Sequence, residues 1–188
     1  MFIQTEQTPN PQTLKFLPGR VVINEGTAFY QSIDEANNSP FARRLFKLDG
    51  VEGVFFGSDF ITITKSEESD WQTMKPIVLG AIMEHFNSDE QTIENSISGK
   101  NTQSNEANEN DSDIVKQIKE LLDTRVRPAV AMDGGDIVYQ SFEEGVVYLH
   151  MQGACSGCPS STATLKMGIE NMLKHYVPEV KEVRPVDA

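Results

Sequence analysis

A chain of 188 residues with 28 acidic against 16 basic side chains has a formal charge of −12, and its 38% hydrophobic content fits one domain or two small ones. No run approaches the ~20 apolar residues of a membrane-spanning helix, and the acidic balance argues against a sequence-independent grip on nucleic acid, which needs clustered Lys and Arg. The start, MFIQTEQTPNPQTLKF, has neither a basic region ahead of an apolar core nor an Arg-rich leader, so the expected location is the cytoplasm, in a bacterial setting without signal or transit peptide.

In chain order, Thr8-Pro9-Asn10-Pro11 reads as a loop. Leu14 and Phe16 before Pro18-Gly19, with Val21 and Ile23 beyond, suggest a first hairpin. Phe41, Leu45 and Leu48 fit a short helix from Pro40, closed by Asp49-Gly50. The runs Val54-Phe56 and Phe60-Thr64 flank Gly57-Ser58-Asp59 as a second hairpin. Trp71, Met74, Val78, Ile82 and His85 then repeat at helical spacing behind a possible Asp70 cap, with Pro76 expected to kink the helix or mark a restart.

From Ser88 to Ser112 the only apolar residues are Ile93, Ile97 and Ala107, among many acids and amides. Too little apolar surface is present to offset chain entropy, so this stretch reads as a disordered acidic linker. It would join two small domains, 1–87 and 113–188, in an α+β chain.

The second domain opens on Ile114, Ile118, Leu121 and Leu122, a helix that Ser112 or Asp113 can cap and Pro128 limits. Gly134-Gly135 breaks the chain before a hairpin, Ile137–Phe142 and Val146–Met151. Leu165, Ile169, Met172, Leu173 and Tyr176 form a further helix, and Val180–Val186 can add a last strand, giving the order α-β-β-α-β.

Between that hairpin and helix stands Gly153-Ala154-Cys155-Ser156-Gly157-Cys158-Pro159. Pro159 suits a first helical position, so Cys158 is expected near the N-cap. Both thiols would then face free N–H groups and the positive end of the helix dipole, which lower thiol pKa. Two cysteines three positions apart cannot staple a secreted scaffold; they point to metal or redox chemistry. A Cys₄ zinc site or iron–sulfur cluster needs four ligands, and two chains supply them, so the metal reading is a symmetric dimer with the centre at its interface. Two rivals stay open: a thiol-disulfide oxidoreductase with Cys155 as nucleophile and Cys158 as resolving thiol, and a zinc-bridged structural dimer.

Other candidates have blander accounts. Asp133 and Asp136 are allotted to turn chemistry rather than to an acid–base pair. His85 and His175 are allotted to helix ends that favour positive charge, and His150 to an alternating strand. Met132 and Met151 could shield a cluster or simply fill gaps. Arg43, Arg44 and Lys47 form either a docking patch for an acidic partner or a solvated helix face. No phosphate-loop, dinucleotide or hydrolase motif occurs, so turnover of its own is not expected.

Met132-Asp133-Gly134-Gly135-Asp136 followed by Gly153-Ala154-Cys155-x-x-Cys158-Pro159-Ser160-Ser161 resembles the C-terminal domain of NifU and the Nfu-type iron–sulfur cluster carriers. The first domain resembles the Nfu N-terminal domain through Met1–Glu6, Thr8–Pro11, Leu14–Gly19, Ala42–Phe46 and Gly57–Thr62. The resemblance implies a non-enzymatic scaffold and carrier. Cys155 and Cys158 would hold a 4Fe-4S cluster between two protomers, with apo iron–sulfur proteins as clients and an upstream assembly scaffold as donor. The long acidic linker is not part of the family pattern.

Overall fold

The computed structural model describes residues 1–88, 90–94, 111–157 and 159–186. They belong to two compact units, one within 1–103 and one within 104–188. Residues 89 and 95–110, most of the expected linker, lie outside the described residues. Both units combine helices with a sheet, as α+β predicts. No helix among the described residues is long and apolar enough to cross a membrane.

In the first unit, strands β1 (Gln4–Gln7), β2 (Thr13–Leu17), β3 (Ala28–Tyr30), β4 (Val51–Phe56) and β5 (Ile61–Lys65) form one antiparallel sheet in the order β1-β2-β5-β4-β3. Leu14, Phe16, Ile61, Ile63, Val54 and Phe56 join one core with Phe41, Ala42 and Leu45 of α1 (Pro40–Phe46) and Val78, Ala81 and Ile82 of α2 (Trp71–Asn87). The alternate residues Lys15, Thr62 and Phe55 lie in register on the other face. They are buried too, and the Lys15 ammonium sits 4.7 Å from the Phe60 ring centroid.

The β4–β5 hairpin and both helices stand where sequence places them. The first hairpin does not. Residues 21–23 form no strand, and β2 pairs with β1 and β5 instead, while Val22 and Ile23 are buried as loop residues. Strand β1 is an exposed polar edge, so it carries no hydrophobic alternation to read. Helix α2 also runs unbroken through Pro76. The cap Asp70 accepts from the Gln72 N–H at 3.0 Å, and the buried stripe Met74, Val78, Ala81, Ile82 and His85 outweighs the one ladder bond that Pro76 cannot make.

Past α2, residues 90–94 make defined contacts with the first unit although sequence assigns them to the linker. Ile93 packs against the core, and the Glu94 N–H donates to the Asn38 carbonyl at 2.8 Å.

The second unit begins with Ser112 capping α3 (Asp113–Leu121), its Oγ accepting from the Val115 N–H at 3.3 Å. Just before it, Asp111 meets the buried Lys119 ammonium at 2.6 Å. Pro128 does not end this helix. A wider π turn over Leu122–Val126 passes the chain into α4 (Arg127–Met132), where Pro128 takes an early position and needs no N–H partner. Strands β6 (Gly135–Glu143) and β7 (Val146–Gly153) pair as a hairpin across Glu144 and Gly145. Their φ values of 52° and 88° match a turn that follows strand twist. Helix α5 (Pro159–Tyr176) then carries the chain to β8 (Glu182–Val186), which lies parallel to β7. Ile118, Leu122, Val126 and Val130 pack with Ile137, Val147, Leu149 and Met151 and with Ile169 and Leu173 in one core that includes Cys155.

Candidate functional site

Cys155 lies in the tight connection between the end of β7 and the start of α5. Gly153, at φ 62°, ends the strand, and its register partner is Gly135 at the start of β6. The Ala154 N–H donates to the Gly134 carbonyl at 3.2 Å and the Cys155 N–H to the Gln152 carbonyl at 3.3 Å. Thr162 Oγ1 on α5 donates to the Cys155 carbonyl at 3.2 Å, tying the loop to the helix that follows. These contacts fix the backbone of the loop that carries the Cys155 thiol.

The glycine pair has a specific task here. Gly134, at φ 81°, turns the chain out of α4. At Gly135 an added Cβ would stand 2.5 Å from Cys155 Sγ and 2.7 Å from the Gln152 carbonyl oxygen, closer than any methyl group can approach. The bare backbone of β6 is thus the wall against which the sulfur rests.

The electrostatics differ from expectation. Cys155 is only 6% exposed, and burial, then the negative charges of Asp133 and Asp136, push its thiol up to about 12. The helix dipole was expected to lower it; desolvation and two nearby carboxylates win instead.

Asp136 is not a turn residue. It sits in β6, 3% exposed, held by both arms of one guanidinium: Arg127 Nε to Oδ1 at 2.8 Å and Nη2 to Oδ2 at 2.7 Å. Its Oδ1 also accepts from the Ile137 N–H at 2.8 Å. Hydrogen bonding to Asp136 raises the Arg127 guanidinium further above its usual range, and Arg127 Nη1 reaches Asp123 at 3.2 Å. This fork fixes the end of the π turn to the strand that backs the cysteine. Sequence reasoning missed it. The Asp123–Arg127 spacing of one helical turn was a readable signal, whereas the Arg127–Asp136 pair spans a turn whose geometry was not. Asp133, by contrast, closes α4 as its C-cap, with its N–H on the Val130 carbonyl at 3.1 Å.

Cys158 lies outside the described residues. Of the two methionines flanking the loop in sequence, Met151 shares the core with Cys155 while Met132 is 75% exposed. His150 is buried on β7, and His175 on α5 lies edge-on to Tyr176. His85 belongs to the other unit. It is stacked 3.8 Å from the Phe41 ring, and burial holds its pKa below the ordinary 6.5, so it is no cationic helix end. Among the described residues no group of three or more His, Cys, Asp or Glu side chains is placed to hold a metal ion.

Residues 3–89 match the family model described as the Nfu/NifU scaffold protein N-terminal domain, and residues 118–184 match the NifU-like domain. Three relatives span nearly all of this chain. NFU1 iron-sulfur cluster scaffold homolog, mitochondrial, of Homo sapiens is 50% identical, over 99% of this chain and 72% of its own length. The protein of the same name in Drosophila willistoni is 51% identical, over 99% and 64%. NifU-like protein 4, mitochondrial, of Arabidopsis thaliana is 51% identical, over 97% and 65%. The chain therefore spans about two thirds of the length of these relatives. Their mitochondrial names overturn the cytoplasmic, bacterial expectation. That expectation rested on the first residues of a chain covering only part of its relatives, and such a start carries no weight on targeting.

Proposed function

The chain belongs to the Nfu/NifU family of scaffold proteins, and on that premise we propose that it holds an iron–sulfur cluster as cargo and hands it to apo-proteins. Cys155 and Cys158 are the ligands. Two thiols per chain fall short of the four that a cluster takes, so the cargo is a 4Fe-4S cluster shared by two copies, joined through the second unit. The first unit recognises clients or the upstream scaffold. The chain acts stoichiometrically and has no turnover of its own.

The observation that carries this reading is the setting of Cys155. Its sulfur rests on β6 at Gly135, where there is room for no side chain, in a loop pinned to the Gly134 turn and to α5. A pinned thiol is a preorganised ligand, and iron displaces its proton on binding, so loading releases protons and weakens as pH falls.

The test is anaerobic reconstitution of the full chain, with iron, sulfide and native mass measured on one sample. About two irons and two sulfides per chain in a dimer is the result expected for a shared four-iron cluster. Cys155→Ser and Cys158→Ser should each abolish retention and leave the amide spectrum of the first unit unchanged. A Cys155→Ser chain that still assembles the full cluster, or zinc at about half an equivalent per chain in its place, would end this reading.

A further inference from the structure

Residues 90–94 bind the first unit in the way a peptide binds a receptor. Helix α2 ends at Asn87, so the segment lies outside both helix and sheet. It nevertheless makes four directional contacts. The Glu90 carboxylate accepts from Arg44 Nη2 at 2.8 Å, and the Thr92 hydroxyl meets His85 Nε2 at 3.1 Å. The Thr92 carbonyl accepts from Ser39 Oγ at 2.5 Å, and the Glu94 N–H donates to the Asn38 carbonyl at 2.8 Å. Ile93 supplies the apolar anchor between them.

The receptor side is built independently of this segment. Ser39 Oγ already accepts from the Ala42 N–H as the cap of α1, and Asn38 Oδ1 accepts the Tyr30 hydroxyl. The groove has further polar nitrogens to offer. Arg44 Nη1 and His85 Nδ1 are buried and have no hydrogen-bond partner among the described residues, and the Glu90 carboxylate stops 3.8 Å short of Nδ1. His85 as a whole is 1% exposed. A buried polar nitrogen without a partner is costly, so the segment in place satisfies the groove only in part. The neighbouring Arg43 on α1 and its C-cap Lys47 are exposed and extend the positive charge outward.

We infer that the groove formed by Asn38, Ser39, Arg44 and His85 is a docking site for an extended acidic peptide of a partner protein, and that residues 90–94 occupy it in cis as a competitor. The chemistry recognised is the one on display: a carboxylate for Arg44, two main-chain bonds, and a small hydroxyl and an aliphatic side chain between. Because the segment is joined to α2 by a few residues, its effective concentration at the groove is on the order of millimolar or above. A partner must therefore add contacts, and Arg43, Lys47, Arg44 Nη1 and His85 Nδ1 are the groups available for them. No cysteine belongs to the groove, so peptide docking there is separable from cluster binding.

The test uses the full, cluster-free chain and a fluorescent peptide of the segment's own sequence, Glu-Gln-Thr-Ile-Glu, followed by anisotropy, with Lys-Gln-Thr-Ile-Lys as control. Weakening the cis occupant with E90Q and I93S together should tighten binding at least tenfold over the unaltered chain, and adding R44Q should cancel the gain. Equal binding of the two peptides, or no gain on weakening the occupant, would overturn the inference. A second measurement needs no variant. Millimolar peptide added to the unaltered chain should speed hydrogen exchange at the Glu94 amide by releasing it from Asn38. Unchanged exchange there would also overturn the inference.

Discussion

The two units treat buried polar groups in opposite ways. In the second, Asp136 has both carboxylate oxygens held by Arg127 and one of them also by a backbone N–H. In the first, the Arg44 and His85 side chains each keep one buried nitrogen without a hydrogen-bond partner among the described residues. A completed network fixes one geometry, and the second unit uses it to hold the backing strand of Cys155. An incomplete one leaves binding capacity unspent. On the readings proposed above, the completed network stands beside the ligand thiol and the incomplete one in the docking groove.

The largest expected effect tests the completed network. Asp136→Ala leaves the Arg127 guanidinium half-buried and without its main partner, which should cost the second unit roughly 3 kcal/mol, read as a shift of its urea midpoint. An Arg127→Met, Asp136→Leu double variant should recover most of that stability. If the single variant cost nothing, the contrast between the units would be empty. Gly135→Ala comes next. Its Cβ would meet Cys155 Sγ at 2.5 Å, so the loop must shift, at a cost of about 1–3 kcal/mol by the same assay, with weaker cluster retention. Gly80→Ala on α2 is the control from the other unit. Nothing lies within 4 Å of the added methyl, and the change should stabilise the first unit by about 0.5–1 kcal/mol.

The last effect is a slope rather than a step. His85 has a folded-state pKa below its ordinary 6.5 because burial disfavours the cation, against the pull of Glu90, with Arg44 opposing protonation. The unfolded chain then binds the proton first. This contribution to the stability of the first unit is complete above pH 6.5 and declines as pH falls from there toward the folded pKa. Melting the chain between pH 8 and 5 should show that decline in the first unit, and His85→Phe, which keeps a ring against Phe41, should flatten it.

Much of the fold was legible because its helices bury one stripe and its hairpins alternate. Val78, Ile82 and His85 announce α2, and Ile118 and Leu122 announce α3. What escaped had no apolar periodicity or depended on distant partners. Strand β1 is polar, and the docked residues 90–94 bind through main chain and a carboxylate. The π turn before Pro128 changes a helix-ending signal into a continuation, and nothing local encodes it. At the candidate site the position of Cys155 could be read from its neighbours in sequence. The raised thiol pKa could not, because it arises from burial under the core and from carboxylates some twenty residues back along the chain.

The parallel pairing of β8 with β7 has a consequence for the order of events during synthesis. Val146 pairs with Glu182 and His150 with Val186, so the cysteine loop and all of α5 lie inside the segment that this contact closes. The β6–β7 hairpin can zip up from its own turn, but the crossover must wait until β8 has left the ribosome. Cys155 therefore emerges well before the strand that completes its sheet, while the strand its sulfur rests on, β6, is already available to pair with β7.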